Sequence, residues 1–166
     1  GIWQKRTLFE QGAKAPLIIR NPKAGGKGQP CRRIVEFVDI YPTLTELVRL
    51  PTPKQVEGRS LKRLLDNPLT PWNGTAITQV LRPADDRLKD PVMGRSIRTE
   101  RWRYSDWGEG KYGEELYDHF ADPMEFNNLA LNPTKENRRI IKSLKKELTE
   151  KASGKVPTTP FNPKRL

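Results

Sequence analysis

The hydrophobic positions follow two different patterns along the chain, and the pattern changes near residue 75. Residues 15–20 form a short apolar run without alternation, entered through Pro16. Such a run is typical of a strand buried on both faces in a mostly parallel sheet. Beyond residue 75, short segments separated by Pro-, Gly- and Asp-rich turns predict a small antiparallel sheet: residues 76–80, 96–99, 102–107 and 115–118.

Helical periodicity predicts a helix before this sheet, a second short one, and a last one after the sheet. Asp39 is placed to cap the first helix, with Pro42 in its first turn. Its apolar face is expected to pack on the sheet through Ile40, Leu44, Leu47 and Val48. The second helix begins with residues 58–61 and points Leu61, Leu64 and Leu65 inward. The last begins near Asn132 and Pro133 and covers the antiparallel sheet with Ile140, Ile141, Leu144 and Leu148.

Composition adds a strong positive charge to this picture. The 166 residues include 31 Lys and Arg against 20 Asp and Glu, which gives a net charge of +11. Hydrophobic residues make up only 34% of the chain, so the core is modest or is completed by further chain. The charge favours a polyanionic partner, which charge alone leaves open among nucleic acid, an anionic membrane surface and an acidic glycan.

Residues able to bind metals through nitrogen or sulfur are scarce. Cys31 is the single cysteine and His119 the single histidine, which excludes a disulfide framework and a multi-Cys metal site. We expect His119 to lie at the surface or at a strand end, because a catalytic histidine needs a positioned partner. The acidic residues Asp85, Asp86, Asp118 and Asp122 lack the spacing of a calcium loop and are read as solvated turns. No apolar run approaches the ~18 residues of a membrane span.

Basic and aromatic residues alternate in residues 95–104. This pattern suits stacking on bases with contacts to phosphate. It is equally the pattern of an amphipathic hairpin with Trp102 and Tyr104 on the buried side. No RRM, KH or helix-turn-helix pattern accompanies it, so nucleic acid is not the favoured partner.

Several short segments, in their order and spacing, resemble the C-terminal part of the sulfatases of the alkaline-phosphatase superfamily, and among them most the iduronate-2-sulfatase branch. The resemblance covers nearly the whole chain and rests on residues 1–5, 16–19, 38–44, 58–61, 96–104, 115–118, 122–123 and 128–129. It implies an α/β fold that holds the end of the main mixed sheet plus a small antiparallel sheet packed on a C-terminal helix. Residues 1–74 would then end the main domain, 75–152 would form a C-terminal subdomain, and 153–166 a disordered basic tail.

The resemblance also implies a mechanism. In these enzymes a hydrated formylglycine attacks the sulfur of a sulfate ester, calcium holds the sulfate oxygens, and a histidine protonates the departing alcohol. A lysine after a Gly-x-Trp-x segment bridges the formylglycine and the sulfate, which assigns that role to Lys5. Arg95, Arg98 and Trp107 are candidates to contact a sulfated sugar, although Arg98 also suits a buried arginine paired with a carboxylate. The resemblance further implies an exported enzyme that is periplasmic, lysosomal or secreted.

The chain departs from the sulfatase pattern at the catalytic centre. The formylglycine motif, Cys or Ser followed by x-Pro-x-Arg, is absent, because residues 32–35 after Cys31 read Arg-Arg-Ile-Val. The calcium ligands are expected upstream of Gly1, so this chain alone is predicted to be inactive. The expected partners are a sulfated saccharide and the rest of a sulfatase chain. The alternative is a non-catalytic basic module that binds polyanionic glycans or nucleic acid.

Overall fold

A four-stranded antiparallel sheet is the centre of the molecule. The computed structural model describes residues 7–84 and 89–152, so Lys5 and the predicted tail 153–166 lie outside the described residues. The strands follow one another in the order of the sequence: β1 (Ala76–Arg82), β2 (Val92–Arg98), β3 (Trp102–Trp107) and β4 (Glu114–Asp118). All four predicted strands are confirmed, and β2 begins earlier than its apolar residues indicated.

One face of the sheet is apolar and is covered by the last helix, α4 (Lys135–Ala152). Ile97, Tyr104 and Leu116 lie side by side across β2, β3 and β4 and are fully buried. They form one cluster with three residues of α4: Leu144, Leu148 and Ala152. The predicted packing of this helix on the sheet is therefore confirmed.

The start of α4 differs from the prediction. Thr134, rather than Asn132, is the residue whose side chain caps the helix, because its Oγ1 accepts a hydrogen bond of 3.1 Å from the backbone N–H of Asn137. Asn137 is the third residue of the helix, which is the usual target of a capping hydroxyl.

The opposite face of the sheet carries polar side chains that are also buried. Ser96, Arg98, Arg103 and Ser105 alternate with the apolar residues and therefore point to this second face. A short N-terminal segment contacts it: Leu8 is buried, and the ring of Phe9 lies 5.9 Å from that of Tyr117. This segment continues into α1 (Glu10–Ala13) and brings a carboxylate to the polar face.

The region before the sheet is held together by hydrogen bonds to two polar side chains. A 3-10 turn (Phe37–Asp39) leads into α2 (Ile40–Leu47), and α3 (Lys62–Asp66) follows. The Asp39 carboxylate accepts the backbone N–H groups of Glu36 and Arg59 at 3.0 and 2.9 Å. The Thr43 hydroxyl donates to the Asp39 carbonyl and accepts from the Leu61 N–H. The segments around Asp39 and Leu61 are thus one structural unit.

Three predictions for this region are wrong among the described residues. Asp39 is at the N-cap position of α2, but its side chain forms no capping hydrogen bond with that helix. Residues 15–20 form no strand, and Ile18 is 90% exposed. A strand buried on both faces needs neighbouring strands, and the described strands β1–β4 pair only with one another.

The apolar side of α2 does not pack on the sheet either. Leu44 is 51% exposed, whereas Thr43 and Thr45 are buried. The reason is that both hydroxyls have partners on the inner side, with Thr45 Oγ1 lying 2.7 Å from that of Thr52. The exposed apolar face consists of Tyr41, Leu44 and Val48. In the described part of the chain, no helix is both long and apolar enough to cross a bilayer.

Candidate functional site

A cleft of about 630 Å³ lies where the N-terminal segment, the loop before α2 and the turn after β4 meet. Its lining is rich in cations, which are contributed by three separate parts of the chain: Lys14, Arg32, Arg33 and Arg98. Two carboxylates, Glu10 and Glu100, also line it, together with His119 and Phe120. An opening with this excess of cations suits an anionic ligand.

A network of buried ion pairs forms the floor of the cleft on the polar face of the sheet. Arg103 is its centre, with Nε 2.5 Å from Oε1 of Glu125 and Nη2 2.5 Å from Oε2 of Glu10. Nη1 of Arg103 donates to the hydroxyl of Ser96 at 2.9 Å. Arg98 adds a second guanidinium to Glu10, at 3.2 Å. The two carboxylates and two guanidiniums balance each other, so the floor itself carries no net charge.

His119 belongs to the same network. It directly follows β4, as expected of a residue at a strand end, but its side chain is only 6% exposed. Its Nε2 lies 2.8 Å from Oε1 of Glu125 and donates to this carboxylate. Sequence reasoning found no partner for His119, because a carboxylate six residues further along an irregular turn gives no periodic signal.

The charge of the network is fixed by opposing effects on the two carboxyl groups. Burial by itself favours the neutral acid at Glu10, but Arg98 and Arg103 outweigh it and lower the pKa below its usual range. Burial also opposes ionisation of Glu125, whose pKa is lowered by hydrogen bonds from His119 and the Glu10 N–H and by Arg103. Burial lowers the pKa of Arg98, against the attraction of Glu10. Both glutamates are therefore carboxylates at neutral pH.

Three ligand-type side chains in this network lie close enough to be tested as a metal site. One ligand atom from each of Glu10, His119 and Glu125 lies within 4.8 Å of the others. Both carboxylates, however, already accept hydrogen bonds from Arg103. A divalent cation would compete with two guanidinium charges at this position, so these three residues do not fit a calcium site. The calcium of the resemblance is expected on ligands upstream of Gly1 and stays a prediction.

Two cations of the lining are not neutralised. Within residues 7–84 and 89–152, the side chains of Lys14 and Arg32 form no ion pair or hydrogen bond, whereas Arg33 is paired with Glu100 at 2.7 Å. Phe120 lines the same cleft, and 73% of its surface is exposed. The cleft therefore presents two available positive charges next to an exposed aromatic ring.

The structure separates the residues that the sequence suggested for substrate contact. Arg98 lines the cleft, and its pairing with Glu10 confirms the alternative reading of a buried arginine with a carboxylate partner. Arg95 points to the face covered by α4, where it pairs with its cross-strand neighbour Asp106 at 3.3 Å. Trp107 ends β3, with the guanidinium of Arg82 4.4 Å from its ring. Contact of these residues with a sugar stays a prediction, as does the role of Lys5.

Sequence reasoning missed the cleft residues Lys14, Arg32 and Phe120. Each lies in a loop or turn outside the helices and strands, where neither helical nor strand periodicity applies. The only signal was the excess of basic residues, which is spread over the whole chain.

Comparison with known proteins gives consistent similarities. Residues 1–154 match the family model described as N-sulphoglucosamine sulphohydrolase, C-terminal. An N-acetylglucosamine-6-O-sulfatase of Bacteroides thetaiotaomicron is 34% identical over 78% of this chain, and arylsulfatase K of Gallus gallus is 30% identical over 76%. The solved structure of BT4656 in complex with its substrate D-glucosamine-2-N,6-O-disulfate matches 69% of the chain with a TM-score of 0.52 and 26% identity.

The chain spans about a quarter of the length of these proteins: 23% of the first relative, 24% of the second and 23% of the solved chain. The matches fall on sulfatases in general and do not single out the iduronate-2-sulfatase branch. The four-stranded antiparallel sheet with its C-terminal helix agrees with the predicted α/β sulfatase fold. The chain belongs to the N-sulphoglucosamine sulphohydrolase C-terminal family, the C-terminal region of sulfatases.

Proposed function

We propose that this chain is the C-terminal part of a sulfatase that hydrolyses sulfate esters of sulfated sugars, and that its cationic cleft faces the sugar. The observation that carries the proposal is the pair of unneutralised cations, Lys14 and Arg32, in the lining of one cleft. The family of the chain and the names of its relatives support the substrate class.

The cleft has the chemistry needed to bind a sulfated sugar beyond the reacting sulfate. The guanidinium of Arg32 offers a planar set of donors that matches two oxygens of a sulfate or carboxylate, and Lys14 offers a compact point charge. The ring of Phe120 supplies an apolar surface for the C–H face of a sugar. Because the ion network beneath is neutral and saturated, it holds Arg98 and His119 in place without competing for the ligand.

The catalytic groups belong, in this proposal, to the remainder of the enzyme. A formylglycine and the calcium ligands are supplied by residues upstream of Gly1, and Lys5 carries a positive charge to the reacting sulfate. The exposed apolar face of α2, formed by Tyr41, Leu44 and Val48, supports the presence of further enzyme chain. If that chain packs on this face, the three side chains are removed from water. We propose further that the enzyme acts outside the cytoplasm, in the periplasm, the lysosome or as a secreted protein.

The choice of sugar is the finer part of the proposal. The segment resemblance favours a 2-sulfated uronic acid, as in an iduronate-2-sulfatase. The similarity to an N-acetylglucosamine-6-O-sulfatase supports a 6-sulfated glucosamine instead. We propose that the substrate is a sulfated residue of a glycosaminoglycan-type polysaccharide. The experiment below compares the two candidate sugars directly.

The test is sulfate release by the complete protein from two disaccharides, one with a 2-sulfated uronic acid and one with a 6-sulfated glucosamine. The double variant Lys14→Ala/Arg32→Ala should raise KM about tenfold or more for the preferred disaccharide, because hydrogen bonds to charged groups contribute about 1.5–3 kcal/mol each. The matched control is Lys54→Ala/Arg63→Ala, which removes one Lys and one Arg from exposed positions away from the cleft.

Release from neither disaccharide would contradict the substrate class. Release with an unchanged KM in the cleft variant would contradict the role of the cleft. Binding of sulfated glycans by the complete protein without any release of sulfate would instead favour the non-catalytic basic module. This chain by itself is expected to release no sulfate.

A further inference from the structure

The outer side of α4 carries a continuous stripe of positive charge. Five basic residues separated by three or four positions lie on one side of the helix: Lys135, Arg138, Arg139, Lys142 and Lys146. All five are exposed. They lie opposite Leu144 and Leu148, which face the sheet, so the stripe faces away from the body of the molecule. At a rise of about 1.5 Å per residue it is about 16 Å long.

The charges of this stripe are mostly not neutralised. In the described ranges, only Lys146 of the five forms an ion pair, with Glu150 at 3.8 Å. The other basic residues of α4 differ, since Lys145 pairs with Glu114 at 2.6 Å and Lys151 with Glu147 at 2.9 Å. Both cations of α4 outside the stripe are therefore paired, whereas four of the five within it have no ion pair among the described residues.

We propose that this stripe is a second binding site, which holds a sulfated polysaccharide chain away from the cleft. The stripe and the cleft lie on opposite sides of the sheet, because α4 covers the apolar face and the cleft lies on the polar face. One polymer bound at the stripe would raise the local concentration of sulfated residues near the cleft by tethering. The proposal rests on the proposed function only for the identity of the polyanion.

The composition of the helix favours a glycan over a single-stranded nucleic acid as the occupant, and duplex DNA is compared directly in the experiment. Single-stranded nucleic acids are bound through aromatic side chains that stack on bases, and α4 contains no aromatic residue. The apolar residues of α4 pack against the sheet, so the helix does not present an apolar face to a membrane. A sulfated polysaccharide needs only spaced cations, and the two arginines offer paired donors to sulfate oxygens.

The experiment compares two variants of the complete protein that lose the same charge. The stripe variant is Lys135→Gln/Arg138→Gln/Arg139→Gln/Lys142→Gln. The matched control, Arg20→Gln/Lys23→Gln/Lys54→Gln/Arg63→Gln, removes two Arg and two Lys from exposed positions elsewhere. Glutamine is a good helix former, so α4 is expected to persist, which the helical circular dichroism checks. If the stripe variant fails to fold, the double variant Arg138→Gln/Arg139→Gln replaces it.

The measurements are affinity for heparin, affinity for duplex DNA of equal charge, and sulfate release from a sulfated disaccharide. At about 0.15 M salt, the stripe variant should lose about fourfold or more in heparin affinity relative to the control, because each of the four exposed ion pairs contributes a factor of about 1.4 to 5. Release from the disaccharide should be unchanged, since a disaccharide in the cleft does not reach the stripe.

Equal losses of heparin affinity in the two variants would overturn the site. An equal factor of loss for heparin and for DNA would overturn the preference for a glycan. A parent protein that releases no sulfate would contradict the proposed function alone, while the heparin comparison would still decide on the stripe.

Discussion

Arg103 and Glu125 form an ion pair in which both side chains are almost completely buried, with 2% and 1% of their surfaces exposed and 2.5 Å between Nε and Oε1. The pair connects β3 to the turn after β4 and contacts Glu10 and His119, which line the cleft. Because Glu125 also accepts the Glu10 N–H and the His119 ring, it joins the N-terminal segment to the sheet.

Replacing Glu125 by Ala should lower the free energy of unfolding by about 3–5 kcal/mol, because Arg103 is then left as a buried charge with one partner removed. Urea unfolding of the complete protein measures this. The control is Glu109→Ala, since Glu109 is exposed and lies 3.8 Å from Arg95. A loss below about 1 kcal/mol for Glu125→Ala would show that the network does not stabilise the fold.

The lowered pKa values of Glu10 and Glu125 predict a loss of stability in acid. Below about pH 4.3, the usual value for a glutamate, the unfolded chain takes up protons before the folded chain does. The free energy of unfolding therefore falls as the pH drops from this value through the lower pKa values of the folded state. Above that range the stabilisation is fully present.

Urea midpoints measured between pH 7 and pH 3 test this dependence. The variant Glu10→Gln should show a flatter decline than the parent, while Glu46→Gln, an exposed residue of α2, should follow the parent. Parallel curves for all three proteins would mean that Glu10 does not contribute to the acid sensitivity.

Thr43→Val should cost about 1–3 kcal/mol although the two side chains have nearly the same shape. The substitution leaves the buried N–H of Leu61 and the carbonyl of Asp39 without their hydrogen-bond partner. Thr149→Val is the matched control, because Thr149 is exposed and bonds only to a carbonyl of its own helix. We expect the control to change the stability by less than about 0.5 kcal/mol, measured by thermal or urea unfolding.

Leu44→Ala tests whether the apolar face of α2 is covered in the complete protein. Leu44 is half exposed among the described residues. If its face stays uncovered, the substitution should change the free energy of unfolding by no more than about 0.5 kcal/mol. If the remainder of the sulfatase covers this face, the complete protein should lose about 2–5 kcal/mol. Leu69→Ala, at a highly exposed position before β1, is the control. Equally small effects at both positions would argue against such a cover.

Lys5→Ala in the complete protein should lower kcat by about 10² to 10³, the usual effect of removing one preorganised donor to a charged transition state. Lys54→Ala provides the control for the loss of a positive charge. A decrease of less than tenfold with normal folding would remove Lys5 from the proposed catalytic groups.

The sequence alone was sufficient to predict the antiparallel sheet and the side of α4 that packs against it. Both depend on local periodicity, since Ile97, Tyr104 and Leu116 alternate with polar residues and Leu144 and Leu148 are one helical turn apart. The resemblance of short segments was likewise sufficient for the family, because their order and spacing are properties of the chain itself.

Only the tertiary structure decided which polar residues meet. Glu10 and Arg98 are 88 positions apart, and no spacing rule connects them. The same holds for the cleft, whose cations come from two loops and the end of β2. It also holds for α2, where the buried hydroxyls of Thr43 and Thr45 set the orientation against its apolar side. Ion pairs and hydrogen bonds act over a few ångströms in space, so they are fixed by the path of the backbone, whereas periodicity reports only on neighbours along the sequence.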